Sequence, residues 1–293
     1  MSSRRRARAS RGPVPRGSVA SPGLAKDTGD GPHLVPGPRA VVELLRHAPA
    51  RVRSVWLDRR REDGELHELA RAAGVEVELV DGATLAQRAP QIDCQGVLAR
   101  ARPPVWQDLE DLVDAMLSAP PEDGRRLLVA LDGVQDPQNL GAIMRTCEFF
   151  GAFGLVWPRD RAVGVTPAVV RASAGASERL ALSRVVNLAR ALETCRDRGV
   201  WVLGTVAEGG ESLPRLLAED RLPDPLVVVM GGEHGGLRRL TRARCDLLAT
   251  IVGRGGVASL NVSAATAATL ALLRAEAPGE GRDGSLGTRA EAD

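Results

Sequence analysis

Residues 127–150 read LLVALDGVQDPQNLGAIMRTCEFF. The run Leu127–Leu131 is apolar throughout, short, and closed by Asp132-Gly133. That is the signature of a strand buried on both faces. Pro137 then stiffens the approach to a helix predicted over Leu140–Phe150. A buried strand feeding a helix is the repeating unit of a parallel sheet. In such sheets ligands bind beyond the carboxyl ends of the strands. The connecting loop is unusually polar, with Asp132, Gln135, Asp136 and Asn139 ahead of Arg145. Two readings stand side by side. In one, Asn139 merely caps the helix and Arg145 is a solvated helix residue. In the other, both serve a site. Asn139 then sits at the helix mouth while Arg145, six residues on, points elsewhere.

The same alternation continues outward. Strands are predicted at Leu127–Leu131, Phe153–Trp157, Val200–Thr205, Leu226–Met230 and Leu248–Val252. Helices are predicted at Asp108–Ser118, Pro167–Ala172, Leu188–Arg198, Leu213–Leu217 and Val262–Arg274. Upstream, residues 33–103 form a second α/β unit. It has strands at Val52–Leu57, Val75–Val80 and Gly96–Ala101, and helices at Ala40–Leu45, Glu62–Ala73 and Thr84–Arg88. The domains expected are therefore 33–103 and 104–274, with Pro103-Pro104 at the boundary and a short linker at 119–124. Residues 1–32, rich in Arg, Ser, Gly and Pro, read as a disordered tail, as does the acidic end, 275–293.

With 293 residues, the chain has room for two modest domains. Its formal net charge is only +2, which argues against a strongly cationic nucleic-acid binder. The charge is uneven: residues 1–30 carry +5, residues 275–293 carry −3, and the body is neutral. Were the partner a polyanion, the N-terminal tail would supply a sequence-independent pull; failing that, Arg51, Arg53, Arg59, Arg60 and Arg61 would carry the contact. No stretch approaches a membrane span, and no apolar segment follows the basic N-terminus as a secretory signal would require. Cys94, Cys147, Cys195 and Cys245 are widely spaced and the four histidines make no ligand pair. Neither a zinc site nor a disulfide framework is expected, and the setting is cytoplasmic. With no tyrosine, three phenylalanines and four tryptophans, base stacking has little to work with.

Two further loops follow apolar strands. One, Val227-Val-Val-Met-Gly-Gly-Glu-His-Gly-Gly236, surrounds Glu233 and His234 with four glycines. Glycine allows close backbone approach to a ligand, but it equally makes a flexible turn, and this is no dinucleotide fingerprint. His234 alone reads as a surface histidine. The other, Ile251-Val-Gly-Arg-Gly-Gly-Val-Ala-Ser-Leu-Asn261, leads into an alanine-rich helix that Ser259 or Asn261 caps. The alanines at 264, 265, 267, 268 and 271 are read as a smooth surface for close packing.

In order and spacing, DGVQDPQNLGAIMRT (132–146), VVVMGGEHGGLRRLTRARCD (227–246) and SLNVSAATA (259–267) resemble the three motifs of the SpoU/TrmH family. These are SPOUT-class RNA ribose 2′-O-methyltransferases. The unit at 33–103 is similar to the N-terminal RNA substrate-binding domain of the RlmB-like branch, with Cys94-Gln95-Gly96 where that branch has His-Gln-Gly. The resemblance implies a deep trefoil knot in the α/β catalytic domain, an exception to the rule against knots. It implies S-adenosylmethionine bound bent in that knot, with Gly231, Ile251 and Leu260 as cofactor contacts. It maps Asn139, Arg145, Glu233, Ser259 and Asn261 onto the catalytic set, and implies a homodimer whose site is completed across the interface. The departure is Val252, where the family usually has proline. The implied substrate is RNA, with a guanosine of 23S ribosomal RNA ahead of tRNA, of a resistance-conferring rRNA nucleotide, or of a non-catalytic RNA-binding role. No metal is implied.

Overall fold

The computed structural model describes residues 33–61, 63–119, 125–233 and 235–275. The basic tail, nearly all of the acidic tail and of the 119–124 linker, Glu62 and His234 lie outside the described residues.

The first unit contains β1 (His33–Pro36), α1 (Pro38–His47), β2 (Val52–Asp58), α2 (Gly64–Ala72), β3 (Val77–Val80), α3 (Gly82–Arg88) and β4 (Val97–Ala101). Its sheet order is β1-β4-β2-β3, antiparallel except for the β2–β3 pair. β1 was not predicted: its four residues end in Pro36-Gly37-Pro38, and its pairing with β4 is long-range. Asp63 and Asp81 start α2 and α3 by accepting the backbone N–H of Leu66 and Thr84.

A helix, α4 (Leu109–Leu117), leads to the second unit. There follow β5 (Leu127–Asp132), α5 (Pro137–Phe149), β6 (Gly154–Pro158), α6 (Pro167–Ser173), β7 (Leu182–Val185) and α7 (Leu188–Asp197). The chain closes with β8 (Trp201–Thr205), β9 (Glu211–Ser212), α8 (Leu213–Ala218), β10 (Leu226–Gly231), α9 (Arg239–Arg242), β11 (Leu247–Thr250) and α10 (Val262–Ala275). Every pair in the seven-stranded sheet, order β7-β6-β5-β10-β8-β11-β9, is parallel. β5 and β10 are wholly or almost wholly buried and lie side by side at its centre. Their carboxyl ends, Asp132 and Gly231, are therefore in register. β7, β9 and α9 are additions that apolar pattern did not reveal; each is four residues or fewer.

On α10 the buried residues are Val262, Thr266, Thr269, Leu270 and Leu273. Of the alanines, half-buried Ala265 packs against the core, Ala267 and Ala268 are half-buried, and Ala264 and Ala271 are exposed. On α5 a glycine is required. A Cβ on Gly141 would sit 2.4 Å from Ala172 Cβ and 2.8 Å from the Val169 carbonyl oxygen, so α5 and α6 pack with their backbones nearly touching.

The two units share one apolar core, which runs from Val41, Leu44 and Leu45 under α1 to Val169, Val170, Ala176 and Leu180. A buried charge cluster pins the junction. Arg51 Nη1 donates to Glu178 Oε2 at 2.7 Å, and Arg51 Nε and Nη2 donate to the Arg102 carbonyl. His33 Nε2 lies 3.5 Å from Glu178 Oε1, and Ser177 Oγ donates to the same oxygen. Arg51 is thus committed to structure and is not free for RNA, whereas Arg53, Arg59 and Arg60 remain exposed. Burial pushes the Glu178 carboxyl up, but the His33 hydrogen bond and the Arg51 charge outweigh it and hold it below the ordinary 4.5.

A depressed carboxyl contributes stability above its unfolded value, and that contribution disappears as pH falls through the folded value. Wild type therefore loses thermal stability below pH 4.5 more steeply than Glu178→Gln, which lacks this linkage. Glu178→Ala, which strands Arg51, costs about 3–5 kcal/mol in denaturant titrations at neutral pH. A loss within error of that of an exposed Glu→Ala control would show that the cluster does not hold the junction.

Candidate functional site

The three loops singled out in the sequence converge. Asp136, not Asn139, caps α5, its carboxylate accepting the N–H of Gln138. Asn139 is freed for another task and lies buried in the first turn. Its Nδ2 donates to Glu233 Oε1 at 2.7 Å, and its Oδ1 accepts from Asn261 Nδ2 at 3.0 Å. Asn261 Oδ1 in turn accepts the N–H and the hydroxyl of Ser263, so Asn261 is the cap of α10. One directional chain, Ser263–Asn261–Asn139–Glu233, thus ties together residues 94 and 122 positions apart. Glu233 Oε2 has no partner among the described residues, so the chain ends in a free acceptor.

A second tie holds the strand ends. Asp132, its side chain fully buried, accepts the N–H of Arg238 through Oδ2, and its carbonyl accepts the N–H of Gly232. The glycine-rich loop folds on itself through a bridge between Gly232 and Gly236. A Cβ on Gly231 would lie 2.4 Å from the Gly236 carbonyl carbon. The close approach that demands glycine here is therefore the loop's own backbone.

These loops surround a cavity of about 670 Å³. Gly231, Ile251 and Leu260 line it, and so do Glu233, Ser259 and Asn261. Six of the eight residues picked from the sequence thus meet around one space, with Asn139 hydrogen-bonded to two of them. Arg145 does not join them. It is exposed and lines a different, larger cleft between the two units, sharing no lining residue with the cavity. Sequence reasoning missed Thr205, Val206, Ala207 and Glu208, which line the cavity from the end of β8. They carry no motif, but the rule that ligands sit beyond parallel-strand ends would have flagged them.

The size suits a small-molecule cofactor. Leu213, Met230, Ile251 and Leu260 offer apolar surface, Glu208 and Glu233 carboxylates for a cation, and Arg242 a charge for an anion. That donor set fits the mixed charge of S-adenosylmethionine. Among the described residues, no group of three or more His, Cys, Asp or Glu could hold a metal ion, and no helix is long and apolar enough to cross a membrane.

Residues 126–271 match the SpoU rRNA Methylase family, and residues 34–106 match the RNA 2′-O ribose methyltransferase substrate-binding family. The chain is 41% identical to the 23S rRNA (guanosine-2′-O-)-methyltransferase RlmB of Pseudomonas aeruginosa, covering 83% of this chain and 96% of that one. The chain belongs to the SpoU methylase family. The RlmB of Pseudomonas syringae is 40% identical over 80% of this chain and 92% of its own. The SpoU methyltransferase AviRb of Streptomyces viridochromogenes, solved with AdoMet, superposes with a TM-score of 0.68 at 26% identity, over 85% of this chain and 92% of that one. The family's RlmB-like branch is where this chain falls, and S-adenosylmethionine is its cofactor.

The hydrogen-bond chain makes a sharp demand on Asn139. Asn139→Asp replaces the donor facing Glu233 Oε1 with a carboxylate, and two like charges at that spacing repel. Its melting temperature at about pH 8 falls below that of Asn139→Ala, and the gap narrows toward about pH 5 as one carboxyl takes a proton. Equal melting curves for the two variants at both values would contradict the pairing.

Proposed function

We propose that this chain transfers a methyl group from S-adenosylmethionine to the ribose 2′-OH of a guanosine in 23S ribosomal RNA. The observation that carries this reading is the Asn261–Asn139–Glu233 chain at the rim of a cofactor-sized cavity, in a chain about 40% identical to RlmB enzymes that carry that activity in their names. Residues 33–103 are the substrate-binding domain and 104–274 the methyltransferase domain. The C-terminal part of the methyltransferase domain forms the deep trefoil knot. Gly231, Ile251 and Leu260 hold the cofactor, and the protein works in the cytoplasm.

When bound, the cofactor supplies a methyl group already activated on a sulfonium. The chain's own residues must therefore place the 2′-OH in line with it and stabilise the charge that develops on O2′. Asn139 cannot rotate without breaking two hydrogen bonds, so Glu233 Oε2 is presented in a fixed direction to a substrate hydroxyl. Asn261 ties its loop to α5 through Asn139, and Ser259 lines the cavity beside it. A guanidinium keeps its proton near neutral pH, so Arg145 acts as a cation. It grips the phosphate beside the target ribose and stabilises the developing alkoxide. The hydroxyl proton leaves to an oxygen outside the chain, from phosphate or water.

Arg145 lines the interdomain cleft of its own chain, so this role requires a second copy. The protein is a homodimer in which Arg145 of the partner subunit completes each cavity. The exposed Val252, Val257 and Leu260 of the loop that leads from β11 to α10 support such an interface.

Mapping 2′-O-methyls on rRNA and tRNA from cells with and without the gene tests the substrate: one 23S guanosine should lose its methyl. Arg145→Ala should abolish methyl transfer while the protein still sediments as a dimer and still binds cofactor by calorimetry. Turnover within about tenfold of wild type, or an active monomer, would overturn the assignment.

A further inference from the structure

The cleft that holds Arg145 is unexplained by cofactor binding. It is open, about 1070 Å³, and lies between α1 and α2 of the first unit and α5 and α6 of the second. Its walls carry both signs of charge, but the two signs are not equally available. Glu43 pairs with Arg46, His47 and Arg179; Asp63 with Arg61; Glu65 with Arg46; Glu148 with Arg179. Every carboxylate lining the cleft is therefore spoken for within the chain. Arg39 and Arg145, from opposite walls, have no partner among the described residues. What the cleft has left over is positive.

It also has an aromatic ring that nothing among the described residues of its own chain covers. Phe149 is 80% exposed, the most exposed aromatic among the described residues. It lies one helical turn beyond Arg145, four residues on, and so on the same face of α5. Its ring is held edge-on by half-buried Phe150, with centroids 5.0 Å apart and planes at 88°. In a chain with so few aromatics, a braced phenyl ring lining the same cleft as two unpaired guanidiniums is a specific arrangement. Guanidiniums fork onto phosphates, and an aromatic face takes a base of any identity.

We propose that this cleft seats a single-stranded segment of the substrate RNA, with one base stacked on Phe149 and flanking phosphates on Arg39 and Arg145. The proposal rests on the reading above and extends it. If Arg145 completes the partner's cavity, the strand leaving that cavity runs into this cleft, and the substrate-binding domain of one protomer feeds the site of the other. A second copy of the chain is the competing occupant. The paired charges and concave shape of the cleft favour nucleic acid over a protein face.

The test uses the full-length chain and a fluorescein-labelled single-stranded RNA of about ten mixed nucleotides, titrated by anisotropy across a salt series. Phe149→Leu keeps apolar bulk but removes the π face. It should weaken binding about tenfold with the salt slope unchanged, while Phe149→Trp binds as wild type does. Arg39→Ala should weaken binding and make the slope shallower by about 0.7, one phosphate's worth on a single strand. All three should sediment as wild type. Binding by Phe149→Leu within about twofold of wild type, or an Arg39→Ala slope equal to wild type, would overturn the proposal. So would a change in sedimentation on altering Phe149, which would give this face to the second copy. The two levels separate cleanly. If wild type fails to methylate rRNA, the enzymatic reading falls. If it methylates and Phe149→Leu still binds the RNA normally, only the cleft assignment falls.

Discussion

The side-chain amide of Asn139 is the joint on which the site depends. An amide has a donor end and an acceptor end, and here the surroundings leave no choice between them. Glu233 can only accept, so it takes Nδ2; Asn261 donates through its own Nδ2 because its Oδ1 is already engaged with Ser263. The polarity of the whole chain is thus set at its ends, by a carboxylate on one side and a helix cap on the other. Its members are individually weak interactions of about 1 kcal/mol net, somewhat more for the bond to the carboxylate. Their effect is to fix orientation more than to add stability.

That joint can form only because the sheet brings its parts together. β5 and β10 are far apart in sequence yet adjacent and parallel, with Asp132 opposite Gly231. The loops that leave them must therefore emerge side by side. Asp132 uses this by holding the backbone of both Gly232 and Arg238, so that Glu233 is presented across the gap to α5. At the far end of α10, the Arg274 guanidinium donates to the carbonyls of Arg125, Phe150 and Gly151. That helix is consequently anchored at both termini against the elements that bracket β5 and α5.

Much of this was legible in the sequence. Long buried strands such as β5 and β10 announce themselves by apolar runs, and the helices by caps and glycines. The three polar loops stood out because no strand end needs that many polar groups for folding alone. What escaped was whatever depends on long-range pairing. β1 and β9 are too short to carry a period and exist only because β4 and β11 present edges to them. The pattern of glycines at 231 and 232 leaves ligand approach and a flexible turn equally open; the structure adds a third reason, since a Cβ on Gly231 would meet the Gly236 backbone and one on Gly232 the Gly133 carbonyl. The division of labour between Asp136 and Asn139 also could not be read, since either can cap a helix and only the position of Glu233 decides. Helical geometry sets Arg145 apart from Asn139, but the opposite wall of its cleft comes from the other unit, which no local pattern could supply.

α5 is then best understood as a strut with a different task at each end. Its first turn, through Asn139, belongs to the cavity; its last two, through Arg145 and Phe149, belong to the cleft. Arg145 lies six positions beyond Asn139, a rise of about 9 Å and about one and two-thirds turns, which leaves the two side chains roughly 120° apart around the helix. No side-chain flexibility bridges that difference within one chain. The helix must also be rigid, because any tilt moves both ends at once. Two features supply the rigidity. Gly141 lets α6 pack against the α5 backbone without an intervening side chain, and the Glu178 cluster just beyond α6 locks the same region to the first unit. The apolar core continues through this junction. The wall of the cleft and the rim of the cavity are therefore parts of one packed body, and the position of the substrate-binding unit is set by the helix that also positions Asn139.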